Sequence, residues 1–293
     1  MEKYIDIIKN SYSGYWNYLK YELIDLNHWD NYFYGLIAIS LLVWILEIAF
    51  PWRKQQALFR KDFWLDTFYM FFNFFLLNLI ILIALSNAVS TLFNDTLGLV
   101  GLSESKLQLF DSNDLPKWLG LLIFFFVSDF VQWNTHRLLH RSSWLWNFHK
   151  VHHSVKEMGF AAHLRYHWME PVVYKSLLFI PLALIANYSS QDVAIVYFFS
   201  IAIGHLNHAN LGWDYGFLKY IFNNPKMHIW HHAKGLPEHV RYGVNFGLTL
   251  SLWDYIFRTN FIPYDGRDIE LGFEGDETFP KDFVSQELYP LKK

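Results

Sequence analysis

The chain has 293 residues, of which 53% are hydrophobic, 20% are aromatic and only 17% are charged. A soluble domain carries about 25% charged residues, so this composition excludes a disordered chain and indicates a membrane protein. Lysine and arginine total 24 against 27 for aspartate and glutamate, which leaves no basic surplus for binding nucleic acid. Cysteine is absent, which excludes disulfides, thiol nucleophiles, iron–sulfur clusters and cysteine-ligated zinc, and leaves 14 histidines as the soft ligands.

Long apolar stretches predict the membrane-crossing elements, because a helix needs about 20 such residues to cross the hydrocarbon. In chain order the predicted spans are 31–50, 67–93 and 118–135, and then a tight hairpin of short or re-entrant helices over 176–191 and 193–204. The first thirty residues lack the basic and apolar regions of a cleaved signal peptide. The predicted fold class is therefore all-α, an integral membrane helical bundle of about four or five spans with a helical, histidine-rich cap.

Loop charges predict the orientation of these spans. The connection 51–62 carries four basic residues and is predicted to be cytoplasmic, whereas the connection 94–117 is mostly acidic. The chain after the third span and the chain from about 205 onward then face the cytoplasm, whether or not the stretch 31–50 crosses the membrane. We therefore expect every histidine cluster on the cytoplasmic side of an inner membrane in a bacterium or of the endoplasmic reticulum in a eukaryote.

Eight histidines form three clusters, one with the spacing HxxxH and two with the spacing HxxHH. The clusters are His136 and His140; His149, His152 and His153; and His228, His231 and His232. Spacings of three and four place side chains on one helix face, so the first residue of each HxxHH is expected to share a face with both later ones. One tetrahedral zinc takes three or four protein ligands, so eight imidazoles predict two metal ions. Imidazole binds iron, zinc, copper and nickel, and ligand type alone leaves the metal open.

These motifs, in this order, resemble those of the fatty acid hydroxylase/sterol desaturase superfamily over roughly residues 115–260. Leu164-Arg165 with His167, and Asn245-Phe246-Gly247 before Trp253-Asp254, extend the likeness, whereas Phe246 and Arg258 depart from the terminal pattern of the family. The resemblance implies a membrane-embedded non-haem di-iron oxygenase that uses O2 and two electrons to hydroxylate or desaturate a lipid. It implies two ferrous ions, with zinc as a substitute in isolated protein, and a separate electron donor such as cytochrome b5 or a ferredoxin with its reductase.

Carried over residue by residue, the resemblance predicts nine metal ligands. They are His136, His140, His149, His152, His153, His208, His228, His231 and His232. His205, three residues before His208, is the weaker candidate. Asp129, which shares a helix stripe with His136, and Glu170 are each predicted to accept the distal N–H of a ligand histidine.

Other polar and aromatic residues receive smaller predicted roles. His163, Arg165 and His167 are predicted to surround the ligands or to line the substrate mouth, and His28 and His239 to be ordinary surface residues. The membrane-interface candidates are Trp133, Trp144, Trp146 and Trp230. The residues predicted to dock an acidic electron donor, or to touch anionic headgroups, are Arg137, Arg141, Lys150 and Lys156.

The chain is predicted to form one structural unit with three regions. Residues 1–116 form a membrane region with two spans, 117–262 the catalytic region and 263–293 a charged cytoplasmic tail. Two other function classes stay open, a membrane metal transporter and a zinc-dependent membrane hydrolase. Arg137 occupies the place of the glutamate in an HExxH peptidase, which argues against the second class. The sequence leaves open whether the substrate is a sterol, a fatty acyl chain, an ether lipid or a carotenoid.

Overall fold

The computed structural model describes residues 2–25, 30–77, 83–186 and 188–292, and helices dominate these ranges. The helices are α1 (Glu2–Ile24), α2 (Tyr32–Ala49), α3 (Phe63–Phe71), α4 (Ile83–Leu99), α5 (Glu104–Leu107), α6 (Lys117–Arg141), α7 (Ser143–His153), α8 (Met169–Ala183), α9 (Ser190–His208), α10 (Pro225–His231), α11 (Leu252–Ile256) and α12 (Phe283–Leu288). A π-helical turn, Phe72–Leu76, continues α3. Two strands of two residues each, β1 (Phe110–Asp111) and β2 (Ile185–Ala186), pair in parallel. The all-α class predicted from the sequence is thus confirmed.

The long helices alternate in direction, so that three of them end on the same side of the bundle. Helices α2 and α9 run in parallel, since Ser40 contacts His205 at 3.1 Å and Glu47 accepts a 2.7 Å hydrogen bond from the amide of Asn210. Helix α8 runs against α6, with the Tyr174 hydroxyl 3.5 Å from the Ser128 carbonyl. The ends of α2, α6 and α9, together with α7 and α10, bring the histidine clusters together.

The predicted spans differ in how far the structure supports them. Among the described residues one helix, Tyr32–Ala49, is long and apolar enough to cross a membrane, with a mean hydropathy of 2.0. Helices α6 and α9 cover the predicted spans 118–135 and 193–204, while the span 67–93 includes residues 78–82, which lie outside the described residues. The prediction of a short helix over 176–191 is wrong in its bounds. Helix α8 begins at Met169, contains Pro181 and gives way to β2.

The charged tail predicted for 263–293 packs against the body of the protein. Phe283 in α12 contacts three aromatic rings of α3 and its π-helical continuation, at centroid distances of 4.7–4.9 Å. The Gln286 side chain is fully buried and accepts a 2.9 Å hydrogen bond from the Tyr69 hydroxyl. Phe273 and Phe279 join the same cluster. These apolar residues, interspersed among the charges, are the reason that the tail docks.

Glu287 makes this docking dependent on pH. Its backbone carbonyl lies 2.8 Å from His167 Nε2, and burial raises the pKa of its carboxyl to about 7. Because this carboxyl is protonated in the folded protein but ionised in the unfolded chain between pH 4.5 and 7, it lowers stability as the pH rises through that window. We expect the free energy of unfolding of Glu287→Gln, relative to that of the wild type, to rise by about 2–3 kcal/mol as the pH is raised from 5 to 8.

The measurement is unfolding in detergent micelles at pH 5, 6 and 8, as the difference between variant and wild type. Glu238→Gln, at a side chain that is 80% exposed, is the matched control for the loss of a carboxyl group. A difference between Glu287→Gln and wild type that stays constant over this range would contradict the assignment.

Candidate metal centre

Nine histidine side chains converge in two adjacent groups, within each of which the ligand atoms lie within 4.8 Å of one another. The five-histidine group contains His136, His140, His149, His153 and His231, and the four-histidine group contains His152, His208, His228 and His232. All are buried except His140, which is half-buried. The set is the same as the nine ligand positions predicted from the sequence, and it leaves out His205.

The spacing within each HxxHH cluster decides which group a residue joins. Helix α7 gives the i, i+4 pair His149 and His153 to the five-histidine group and gives His152 to the other. The third cluster lies in α10 and at its end, and it is divided in the opposite way. His228 and His232 belong to the four-histidine group and His231 to the five-histidine group. Sharing a helix face therefore does not mean sharing a group, since each first residue joins only the residue four positions later. Adjacent residues are about 100° apart on a helix, so they point to different groups.

Backbone carbonyls orient four of these rings through Nδ1. His136 lies 2.7 Å from the Phe246 carbonyl, His231 2.8 Å from Val244, His152 3.0 Å from Arg165 and His208 2.8 Å from Gly204. A carbonyl only accepts, so each of these rings carries its proton on Nδ1 and a lone pair on Nε2. His149 instead pairs with Glu170 Oε2 at 2.8 Å, where the carboxyl is able to donate or to accept.

The lone pairs point into the centre of each group, which tests whether the residues fit a metal. Nε2 of His152 and Nε2 of His208 are 3.3 Å apart, and neither carries a proton to place between them. Protonation does not resolve this contact, because burial lowers the pKa of His152 to about 3 and that of His208 well below its usual value. Two lone pairs at this distance repel unless a cation lies between them. The donor set therefore fits a metal ion bound by neutral imidazoles.

The two predicted carboxylate partners have different positions. Glu170 lies against His149, as described above, where a carboxylate is expected to fix the ring. Asp129 instead accepts a 2.9 Å hydrogen bond from Trp253 Nε1, and the predicted bond to a ligand histidine is wrong. Asp129 shares a stripe with His136 but lies seven residues earlier, about 10 Å along the helix axis, which is beyond its reach.

Arg165 links the centre to a buried ion cluster. Its carbonyl accepts the His152 N–H, while its guanidinium lies 3.0 Å from Asp66 Oδ1 and 2.8 Å from Ser154 Oγ. Asp66 also contacts the Arg60 guanidinium at 2.6 Å. Asp66 of α3 therefore holds Arg165, and the Arg165 carbonyl in turn orients the His152 ring.

The remaining histidines lie around the two groups or on the surface. Nδ1 of His163 is 2.9 Å from Nδ1 of His205, and Nε2 of His205 contacts Ser40, so this pair faces α2. His167 lies between α7 and the tail, in contact with Phe148 and Glu287. His239 is exposed, as predicted, and His28 lies outside the described residues.

Two residues that support the centre received no role from the sequence beyond their place in the family motif. Asn245 has a φ of 51°, and its amide donates to the carbonyls of Met227 and Phe261 at 2.9 and 2.8 Å. The buried Asp254 carboxylate accepts the amides of Phe246 and Gly247 at 2.9 and 2.8 Å. Together they fix the loop whose carbonyls orient His136 and His231. In the sequence, only the spacing of the N-F-G and W-D motifs pointed to Asn245 and Asp254.

Two of the four tryptophans predicted at the membrane interface are buried inside the protein. Trp133 donates a 3.0 Å hydrogen bond to Asp254, and Trp230 donates one of 3.1 Å to the Tyr264 carbonyl. Internal partners for both indole N–H groups explain the burial. Trp144 is exposed and Trp146 half-buried, so these two positions remain compatible with an interface.

Replacing Glu170, the partner of His149, should weaken metal binding in the five-histidine group while all five ligands stay in place. We expect Glu170→Ala to lower metal affinity by about 10–100-fold, since partners that orient ligand histidines contribute on that scale. Glu170→Gln keeps an acceptor oxygen, so its metal affinity should fall less than that of Glu170→Ala. The measurement is competition with a chelator of known affinity, with the exposed Glu274→Gln as the control. Unchanged affinity in Glu170→Ala would contradict this role.

Comparison with known proteins identifies the same family that the histidine motifs resemble. The model of the fatty acid hydroxylase family matches residues 121–259. The ornithine lipid hydroxylase of Rhizobium tropici is 32% identical over 178 residues, covering 60% of this chain and 50% of that protein. The alkylglycerol monooxygenase of Homo sapiens is 30% identical over 45% of this chain and 28% of its own. A very-long-chain aldehyde decarbonylase of Oryza sativa is 26% identical over 48% and 46%.

The chain spans half or less of the length of these curated relatives. No solved structure matches it.

Proposed function

Because the chain belongs to the fatty acid hydroxylase/sterol desaturase superfamily, we propose that it is a membrane-bound di-iron oxygenase that hydroxylates a lipid. The observation that carries this proposal is the pair of histidine groups, in which nine imidazoles bring their ligand atoms within 4.8 Å of one another around two centres. The relatives support a lipid substrate, since their names specify an ornithine lipid, an alkylglycerol and a very-long-chain aldehyde.

Both groups fit iron, and the reaction requires it. Zinc binds the same nitrogen donors and outcompetes ferrous iron on affinity, so it is a substitute in isolated protein. Zinc has no redox chemistry, whereas a pair of ferrous ions, when bound, supplies the power to activate O2 that no side chain has. The balanced reaction converts a C–H bond, O2, two electrons and two protons into an alcohol and water.

The residues of the chain keep the ligand rings neutral and oriented and exclude water from the site. Burial lowers the pKa of His136 to about 4, so its lone pair stays available at neutral pH. The carbonyls of Val244 and Phe246 fix the direction of two rings, and that of Arg165 fixes a third. Since eight of the nine rings are buried, water is excluded from the place where a lipid chain would react.

Hydroxylation is favoured over desaturation because the named relatives include a hydroxylase and a monooxygenase. We place the site on the cytoplasmic side of a bundle of four or five spans, of which α2 is the clearest. This bundle would comprise the predicted membrane region 1–116 and the catalytic region 117–262. Within the class, an acyl or alkyl chain carrying a polar headgroup fits the relatives better than a sterol.

Electrons come from a separate donor in this proposal. Lys156 forms an ion pair with Asp276, and Lys150 donates a 3.1 Å hydrogen bond to Asn147, so both are engaged within the protein. Arg137 and Arg141, at the end of α6, are partly and fully exposed. An acidic cytochrome b5 or ferredoxin would therefore dock at the end of α6.

The test compares the lipids of cells with and without the protein, grown under ¹⁸O2. We expect one labelled oxygen in a lipid that is present only with the protein. An unlabelled product that has lost two hydrogens would indicate desaturation. A metal that crosses vesicle membranes, or a hydrolysed lipid without label, would indicate the transporter or the hydrolase and contradict the proposal.

A further inference from the structure

Two short segments of the cap form an apolar surface that no part of the described protein covers. We call residues 216–222 and 250–257 the leaflet patch. Its most exposed large side chains are Phe217, Ile256 and Tyr220, at 77%, 56% and 53% exposure. Ile221 and Phe257 extend the same surface. Single exposed apolar residues are ordinary, but a contiguous set of this kind marks an interaction surface.

The two segments are joined through their backbones. Phe222 and Leu250 form an antiparallel bridge, and the Leu252 amide donates to the Ile221 carbonyl at 3.3 Å. The Ser251 hydroxyl donates to the Lys219 carbonyl at 2.6 Å. Non-helical backbone is tolerated at membrane depth only where its polar groups have partners within the protein. The backbone groups that join the two segments of the leaflet patch have such partners.

The patch lies beside the middle of the helices, below the level at which they end. The Trp253 ring is 4.8 Å from Phe130 and 6.2 Å from Phe126 in α6, and Phe222 is 6.2 Å from Phe199 in α9. Phe130 is 12 residues beyond the start of the predicted span at 118, which is about 18 Å along the helix axis. The predicted span ends at 135, five residues later, so that level is about 7.5 Å inside its cytoplasmic boundary.

The charges of the patch suit a membrane surface. Two basic side chains lie at the patch, the half-exposed Lys219 and the adjoining exposed Arg258, whereas Asp254 is fully buried and the adjoining exposed Asp214 accepts a 3.0 Å hydrogen bond from the Gly216 amide. Arg258 has a φ of 55°, a left-handed conformation that favours glycine, and the arginine in this position adds a positive charge. Aromatic residues flanked by basic ones are typical of protein surfaces that lie in the headgroup region.

We propose that the leaflet patch inserts into the cytoplasmic leaflet of the bilayer. The predicted cytoplasmic position of all residues after 205 is then wrong for these two segments. The patch adjoins the buried loop at 244–247, whose carbonyls orient His136 and His231, because Asp254 accepts the amides of Phe246 and Gly247. This inference rests on the proposed membrane function, because the depth of the patch is measured from the predicted span of α6.

The absence of cysteine makes a direct test simple, because each introduced cysteine is the only one in the chain. Phe217→Cys and Ile256→Cys are spin-labelled in the full chain, reconstituted in vesicles of phosphatidylcholine and phosphatidylglycerol. Collision of the label with O2, which concentrates in lipid, is compared with collision with a water-soluble nickel chelate. Tyr242→Cys is the matched control, since Tyr242 is also aromatic and 52% exposed but lies outside the patch.

We expect the ratio of O2 to nickel collisions to be several-fold higher at 217 and 256 than at 242. A ratio at both patch positions equal to that at 242 would overturn the insertion. Two independent positions guard against a variant that does not fold. The readout needs neither iron nor turnover, so lipid contact without any ¹⁸O-labelled product would refute the oxygenase and leave the insertion standing.

Discussion

Replacing His152 with alanine is expected to empty the four-histidine group and to reduce turnover to background. His152 is one of four nitrogen donors there, and its Nε2 lies 3.3 Å from that of His208. Loss of a ligand should lower affinity by more than the 10–100-fold that loss of a ligand's partner costs. Metal analysis after anaerobic purification with ferrous iron should give about one ion per chain in place of two, as the two-site proposal implies.

His205→Ala is the matched control for this experiment. His205 is as buried as the ligands and lies three residues from His208, but it faces His163 and Ser40. Its loss should leave two ions bound. Equal losses of metal in the two variants would mean that burial, and not coordination, explains the effect of His152→Ala, and the two-group assignment would fall.

Asp66→Asn is expected to destabilise the protein by about 3–5 kcal/mol, since it leaves two buried guanidinium groups without their shared counterion. Asp66 is fully buried between Arg60 and Arg165, at 2.6 and 3.0 Å. Asparagine has nearly the same shape, so the loss of charge and not of packing is tested. The free energy of unfolding, measured by denaturant titration in micelles, reports the change.

The exposed ion pair between Lys3 and Asp95 provides the comparison. These side chains are 56% and 43% exposed and 2.7 Å apart, so Asp95→Asn should cost much less stability than Asp66→Asn. Because the Arg165 carbonyl also orients His152, Asp66→Asn should weaken metal binding in the four-histidine group. Equal costs for Asp66→Asn and Asp95→Asn would show that the buried cluster has no special role.

The sequence predicted those features that follow from local spacing. HxxxH and HxxHH place rings on helix faces, and the apolar stretch before Pro51, in which Glu47 is the only charged residue, is the helix Tyr32–Ala49. The family likeness added His208, which no local pattern ties to the clusters. It also drew attention to Asn245 and Asp254, although their action through the carbonyls of Val244 and Phe246 depends on a loop fold that spacing does not encode.

Long-range contacts could not be predicted from the sequence. The bond from Trp253 to Asp129 joins residues 124 positions apart, and only tertiary packing makes it. The docking of the tail depends on Phe283 meeting α3 across the whole chain. The division of His152 and His153 between two groups depends on where the fold places the other ligands: α6 brings His136 and His140 to His153, and α9 brings His208 to His152. No motif contains this arrangement.

X-ray absorption at the iron edge tests the central claim most directly, using the full chain loaded anaerobically with ferrous iron. Nine imidazoles shared between two ions predict a first shell dominated by nitrogen, with imidazole scattering from four to five rings per iron. A shell dominated by oxygen, with fewer than two imidazoles per iron, would show that the histidines do not hold the metals.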